Sequence, residues 1–522
     1  MEVTLREKEA DDWVYRGEGA ANLVLAYIGS CPAFFRKVMR IRKAPRNDSV
    51  TEIRTSPSAL TAHERLLWKD VDELIASSDH EVSSQLFVLH VMKPLLGSKY
   101  VDAGMHVKVS RGFLESIEKN VICQRPAGRV DTAQLDMHCD YVLLMSDHSI
   151  FTHGNLESSP CISVEIKPKC GFLPVSRFVS EETAIKKRVT RFEMHQALKL
   201  HQGEISLLSE YNPLDLFSGS KERIHKAIND LFTTPQNNFR VFMNGSLIFG
   251  GLGGGAEDTN LCIAKAFEGA LMSIIQADDG LCTENFLTLV AEAAHKSGVL
   301  DRLLEVQKLD DVDIEGAIHA YYDITRQQCM VCTELNEEQM KVYTPLHSVS
   351  LDESLRVVKD YLIAATVKDC SLMICFRPRK EGDLGSVCNN IYLESTKQTF
   401  DFKIVLRCTR AMIFPSPSLI RFQGSPSYLC LRIVYTALEG VIPPSHSLQV
   451  KLSRLCCCYE DLSGGLRLRG LFGFYQIQIL AKSGFETSYK STFGTEIWFW
   501  FFIQSMHNPN YYYYYYLLKT LL

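Results

Sequence analysis

Hydrophobic and polar residues along this chain switch repeatedly between period two and a helical period. Residues 11–44 alternate like a hairpin: Trp13-Val14-Tyr15 runs into the glycine-containing turn 16–22, and Leu23 to Tyr27 runs out of it. A second apolar strand is predicted over 34–41. Residues 45–80 turn polar and then helical (LTAHERLLWKDVDELI). Residues 140–147 read as a buried strand with polar ends, the pattern of a hinge between two lobes. Ile162, Val164 and Ile166 alternate with Ser163, Glu165 and Lys167, predicting a strand that Pro168 ends for want of an N–H. Helices are predicted at RFEMHQALKL and over 221–232, and a strand follows Asn237 and Asn238. Residues 251–260 read as a loop. Residues 261–325 are strongly helical, with Leu287, Val290, Ala291 and Ala294 on one face. A further amphipathic helix over 351–366 leads into a strand at 372–376. Such mixing predicts an α+β fold.

Composition sharpens this picture. The chain has 522 residues, 46% hydrophobic and 22% charged, enough for two or three domains. Its net charge of −5 argues against a general nucleic-acid binder, so a basic site must be local. No apolar run is long enough to span a bilayer, and no export signal is recognisable. The 17 cysteines then read as cytosolic thiols with some metal ligands among them. Residues 406–522 differ from the rest. They hold 11 of the 56 Lys+Arg, 5 of the 61 Asp+Glu and 22 of the 52 aromatics, with three consecutive cysteines and six consecutive tyrosines. That break sets 406–522 apart as a divergent tail whose composition suits translated noncoding sequence, such as a retained intron. A membrane-interface tail is the competing idea.

Two constellations carry chemistry. Lys167 and Lys169 share a strand parity, and Arg191, His195 and Lys199 stack four apart on one helical face. Five potential cations in an acidic protein call for an anion, with Glu165 among them for a metal or a hydroxyl. A solvated basic face beside an edge strand gives the same pattern. The second constellation is His319, Cys329, Cys332 and His347, spaced H-x9-C-x2-C-x14-H. Two thiolates and two imidazoles satisfy tetrahedral zinc, and a closed four-ligand site would be structural. A pair of reduced thiols is the alternative.

The stretches DWVYRGEGAANLVLAY, EIKPKCGFLP, RFEMHQALKL, EYNPLDLFSGS, TPQNNFRVF, SGVLDRLLEVQKLDDVDIEGAIHAYYD and YLIAATVKDCSLMI occur in order. Together they resemble the inositol-pentakisphosphate 2-kinases of plants over about residues 1–405. The resemblance implies a two-lobed, protein-kinase-like fold, with residues 1–150 as the N-terminal lobe and 151–405 as the C-terminal lobe. Extra helices for the inositol ring and a structural zinc site belong to it. It implies ATP, Mg2+ and Zn2+ as cofactors, inositol pentakisphosphate as substrate, a monomer, and a cytoplasmic or nuclear location.

The resemblance also implies roles. Gly19, Ala20 and Asn22 lie over the ATP phosphates, with Arg40 pairing them. Asp147 and His148 fall at the adenine, and Glu165 and Arg240 near ribose and phosphates. Arg129, Lys167, Lys169, Lys199, Asn237 and Asn238 hold substrate phosphates, with Arg191 and His195 shaping the same pocket. Asp369 is the general base; without the resemblance it reads as a strand-entry residue. His319, Cys329, Cys332 and His347 coincide with the family's zinc site. Three departures stand out. Pro45 replaces a basic residue, Ala20 replaces a loop glycine, and after Lys403 the chain lacks the carboxylate that ligates magnesium. That last departure opens an alternative reading: a protein that binds inositol phosphate or nucleotide with impaired transfer.

Overall fold

Alternating sequence becomes two sheets in the computed structural model, which describes residues 4–19, 21–46, 60–77, 79–151, 160–250, 261–278, 280–379 and 389–408. Ala20, the loop expected at 251–260 and the tail from 409 onward lie outside the described residues.

The first sheet contains β1 (Thr4–Leu5), β2 (Trp13–Glu18), β3 (Asn22–Tyr27), β4 (Lys37–Pro45), β5 (Met105–Val109), β6 (Ala133–Leu135) and β7 (Tyr141–Ser146). Their order is β1-β5-β7-β4-β3-β2, with β6 paired to the end of β4. Period two decides which face is covered. Leu23, Leu25, Met39 and Ile41 are buried together with Phe113, Leu114, Ile117 and Val121 of helix Arg111–Val121. Each such side chain contributes about 1.5–3 kcal/mol by leaving water. Ser110 caps that helix by accepting from the Phe113 N–H at 3.2 Å. Trp13 closes one end, packed against the rings of Tyr27 and Phe34.

The second sheet contains β8 (Ile162–Ile166), β9 (Phe239–Met243), β10 (Ser246–Phe249), β11 (Ser371–Pro378), β12 (Asn389–Leu393) and β13 (Gln398–Arg407), in the order β10-β9-β8-β11-β13-β12. Every pairing in it is antiparallel. β8 lies in the interior, and all five of its residues are buried. Glu165 on it stands opposite Arg240 of β9 and Met373 of β11. Helices surround this sheet. Helix Leu351–Lys368 begins on a Ser350 cap and ends at Asp369, directly before β11.

Several boundaries differ from the pattern, each for a local reason. The strand expected at 34–41 runs Lys37–Pro45, and Pro45 costs little because it is the last residue of the strand. The helical stretch near 62–76 splits into Ala62–Leu67 and Asp72–Ile75 around a turn. Gly298, at φ +67°, ends helix Cys282–Ser297 and begins Val299–Gln307, which a residue with a side chain would resist. β13 continues to Arg407, two residues beyond the composition break, and Leu406 is buried in the core.

Candidate functional site

The basic segment after β8 departs from simple alternation. β8 ends at Ile166, so Lys167 and Lys169 both lie beyond the strand, and Lys169 adopts a left-handed backbone at φ +64°. Strand parity therefore does not set their common direction. Three neighbours pin this segment instead. The Lys167 N–H donates to the Asn238 carbonyl at 2.9 Å. The Tyr211 hydroxyl donates to the Pro168 carbonyl at 2.8 Å. The fully buried Gln307 amide donates to the Lys169 carbonyl and accepts from the Gly171 N–H, both at 2.8 Å. Gly171 is required there, because a Cβ would fall 2.4 Å from the Phe217 ring.

Helix Arg191–His201 forms as predicted, entered through a Thr190/Glu193 capping box. Lys199 is buried on it, while Arg191 and His195 are half-buried. The pattern did not reveal how this helix meets the segment carrying Asn237 and Asn238. Gln196 and Gln236 exchange a pair of amide hydrogen bonds at 2.8 and 2.9 Å, both residues buried. This ties Lys199's helix to the turn that backs Lys167. Asn238 is buried, and its Oδ1 has no hydrogen-bond partner. Asn237 beside it is half-buried.

Glu165 is the hub of the charges. Its carboxylate lies 3.7 Å from Arg240 Nη1 and 3.7 Å from Arg407 Nη1. Burial pulls its pKa up, but Arg407, Arg240 and Lys167 outweigh burial and hold it below the ordinary glutamate value. Arg40 of β4 shares the neighbourhood; burial, and then repulsion from Arg407, lower its pKa to about 10. Arg407 was missed as a site residue because it sits where composition breaks. Period two running on through Ile404 and Leu406 could have extended the strand to Arg407, but not paired it with Glu165.

Apart from Asp369, the other expected residues lie nearer the first sheet. The Gly19 N–H donates to the Asn22 carbonyl at 2.9 Å, closing the turn. Beneath it, the buried Glu18 carboxylate accepts from Arg125 Nε at 3.0 Å and from Lys43 Nζ. Arg125 also donates to the Arg129 carbonyl at 3.5 Å, so one network joins the turn to Arg129's helix, Ala127–Thr132. Glu18's burial raises its pKa, and the Arg125 and Lys43 hydrogen bonds more than reverse that. Asp147 is buried, accepts from the Ser149 N–H at 3.0 Å and lies 3.5 Å from Arg16 Nη2. His148 Nε2 lies 2.9 Å from Asp102 Oδ2, yet burial keeps the imidazole pKa below its usual value. Asp369 caps the long helix and is exposed, two residues before Ser371, which stands opposite Arg407.

A second cluster stands on helices. His319 lies on helix Asp313–Thr325, His347 ends helix Glu337–His347, and Cys329 and Cys332 lie on the connection between them. Their four donor atoms all fall within 4.8 Å of one another. His319 Nδ1 is 3.1 Å from His347 Nε2 and 3.4 Å from each sulfur, and Cys332 Sγ is 3.2 Å from His347 Nε2. Around a tetrahedral zinc with bonds of about 2.0–2.3 Å, donors stand roughly 3.3–3.8 Å apart, so the set fits with a small expansion. Asp323 Oδ1 lies 2.8 Å from His347 Nδ1 and turns the ring's other nitrogen toward the sulfurs. Tyr343 stacks on His319 at 4.1 Å. Burial, then His347, lower the His319 pKa to about 3, which favours the neutral imidazole that a metal needs.

A mixed α+β fold with Arg240, Arg407 and Lys167 around one buried carboxylate is consistent with a kinase-like protein that handles anions. The comparisons with known proteins narrow the class. The inositol-pentakisphosphate 2-kinase family model matches residues 15–406. An inositol-pentakisphosphate 2-kinase of Arabidopsis thaliana is 54% identical over 405 residues, covering 77% of this chain and 89% of the relative. One from Oryza sativa subsp. japonica is 49% identical over 406 residues, with the same coverage. One from Danio rerio is 29% identical over 463 residues, covering 77% of this chain and 90% of the relative. The chain belongs to the inositol-pentakisphosphate 2-kinase family.

Proposed function

We propose that this chain transfers the γ-phosphoryl group of ATP to the 2-hydroxyl of inositol 1,3,4,5,6-pentakisphosphate, leaving ADP and inositol hexakisphosphate. The observation that carries this is the cation assembly around Glu165: Arg40, Lys167 and Arg240 inside the family-matched segment, with Arg407 directly after it. The relatives are named as 2-kinases, and nothing in them favours the binding-only alternative.

Five phosphates need cations fixed before the substrate arrives. Each charge-assisted hydrogen bond is worth about 1.5–3 kcal/mol, and fixed partners lose little entropy on binding. Arg129, Lys167, Lys169, Lys199, Asn237 and Asn238 take that role in this reading. Arg191 and His195 shape the pocket. The turn with Gly19, Ala20 and Asn22, together with Arg40, Glu165 and Arg240, holds the nucleotide phosphates and ribose, with Asp147 and His148 at the adenine. Asp369 orients the attacking hydroxyl and takes its proton. The nucleotide side belongs to an N-terminal lobe over 1–150 and the inositol side to a C-terminal lobe over 151–405.

Magnesium supplies charge neutralisation on the transferring phosphate. Among the described residues, the His/Cys cluster is the one group of three or more metal-ligating side chains. Magnesium commonly needs only one or two carboxylates beside substrate phosphates and water, so the nucleotide phosphates would supply part of its coordination. Zinc in the His319–Cys329–Cys332–His347 set is structural, since four protein donors leave no position for substrate. The test is to supply the purified chain with Mg-ATP and inositol pentakisphosphate. Equal amounts of ADP and inositol hexakisphosphate are expected; ADP without the hexakisphosphate, or neither, would refute the reading.

A further inference from the structure

We propose that Cys370 and Cys408 form an oxidisable dithiol, which a hydroperoxide converts to a disulfide and which thereby slows phosphoryl transfer. The effect on transfer rests on Asp369 being the general base; formation of the bond does not. Cys370 Sγ lies 3.4 Å from Cys408 Sγ. Ser371 stands opposite Arg407, so the next antiparallel pair outward is Cys370 with Cys408. Opposed residues in such a ladder have Cα atoms about 4.5–5.5 Å apart, within the roughly 4.4–6.8 Å that a disulfide spans. Closing the sulfurs to about 2.05 Å needs a shift of little more than an ångström, shared by two strand ends.

The two thiols differ in access. Cys370 is buried, and its thiol also faces the Thr366 carbonyl at 3.5 Å. Cys408 is partly exposed. This assigns the order of events. The Cys408 sulfur attacks one oxygen of hydrogen peroxide, the O–O bond breaks, and a sulfenic acid and water result. The Cys370 sulfur then attacks the Cys408 sulfur, the S–O bond breaks, and the disulfide and a second water form. The two thiol protons leave in the waters, and the two electrons lost by sulfur reduce the peroxide.

The flanking residues make the bond matter. Asp369 directly precedes Cys370. Arg407 directly precedes Cys408 and lies 3.7 Å from Glu165. A disulfide therefore ties the base's neighbour to the neighbour of an arginine in the phosphate cluster. Shifts of about 1 Å in such groups cost up to about a hundredfold in rate. Cys161, directly before β8, and Cys375 on β11 offer an internal contrast. Both are almost wholly buried, so neither offers peroxide the partly exposed sulfur that Cys408 does.

The experiment uses the full, zinc-loaded chain, so that Cys329 and Cys332 are occupied. It is exposed to hydrogen peroxide, its remaining thiols are blocked with N-ethylmaleimide, and its peptides are mapped by mass. The expected result is a Cys370–Cys408 cross-linked peptide with unlinked Cys161 and Cys375. Transfer should fall by about tenfold or more and return with dithiothreitol. The Cys408→Ser chain should form no link, and its transfer should resist peroxide. A map in which Cys408 stays a thiol or joins another cysteine overturns the proposal, as does a Cys370–Cys408 link that leaves transfer unchanged. A reduced chain that transfers nothing counts against the kinase reading alone, because the peptide map reads the bond without turnover.

Discussion

The His/Cys cluster and the cation cluster around Glu165 are built on opposite plans. The first draws its four donors from one stretch of 29 residues and closes them on a single point. The second draws on β4, β8, β9 and β13, and on the segments after β8 and before β9. A tetrahedral ion asks only for four donors at fixed short distances, so local spacing can announce it. A pentakisphosphate asks for cations spread over a whole molecule, and only long-range pairing can supply that. On the proposed function, the difference fits the first cluster to holding the fold and the second to chemistry.

The largest expected effect separates the two. Asp369→Asn should lower transfer by about 10²–10⁴-fold while zinc content and melting temperature stay unchanged, measured by anion-exchange assay beside thermal unfolding. Cys332→Ser should do the reverse. It should lose stoichiometric zinc and cost about 3 kcal/mol, a fall in melting temperature of roughly 5–10 °C, while the molecules still folded transfer phosphate. A zinc-free chain with full stability would break the comparison. Lys199→Met should raise the KM for inositol pentakisphosphate about 10–100-fold, with a smaller change in kcat, because it removes one charge-assisted bond.

Legibility divided along the same line. The four zinc-type ligands, the strand bearing Glu165 and the helix bearing Lys199 were readable, because each depends on a local period or spacing. The role proposed for Asp369 rests only on family resemblance; alone it is a residue between a helix and a strand. The parity argument for Lys167 and Lys169 failed, because the strand stops at Ile166 and buried side chains such as Gln307 and Tyr211 shape the backbone from Lys167 to Gly171. The Gln196–Gln236 pair and Arg407's approach to Glu165 were invisible. Both join residues far apart in the chain, and no local period encodes such a partner.

Smaller effects sharpen the account. Gln236→Leu should leave the buried Gln196 Nε2 without its acceptor, at about 1–3 kcal/mol, and raise the KM for the inositol phosphate several-fold without touching zinc. The smallest effect is one of pH. Glu165's folded pKa lies below its unfolded value of about 4.3, so its contribution is complete above that pH and fades as pH falls through the folded value. Melting curves from neutral to acid pH should therefore drop below about pH 4.3, and less steeply for Glu165→Gln.

The central claim is that the scattered cations and Asp369 perform transfer while the His/Cys cluster supports the fold. The most direct test measures inositol hexakisphosphate made from Mg-ATP and inositol pentakisphosphate by two zinc-loaded chains, wild type and Asp369→Asn, alongside their affinity for the pentakisphosphate. The account predicts product from the first, almost none from the second, and matching affinities. Equal product from both, or none from a folded wild type that binds the pentakisphosphate, would contradict it.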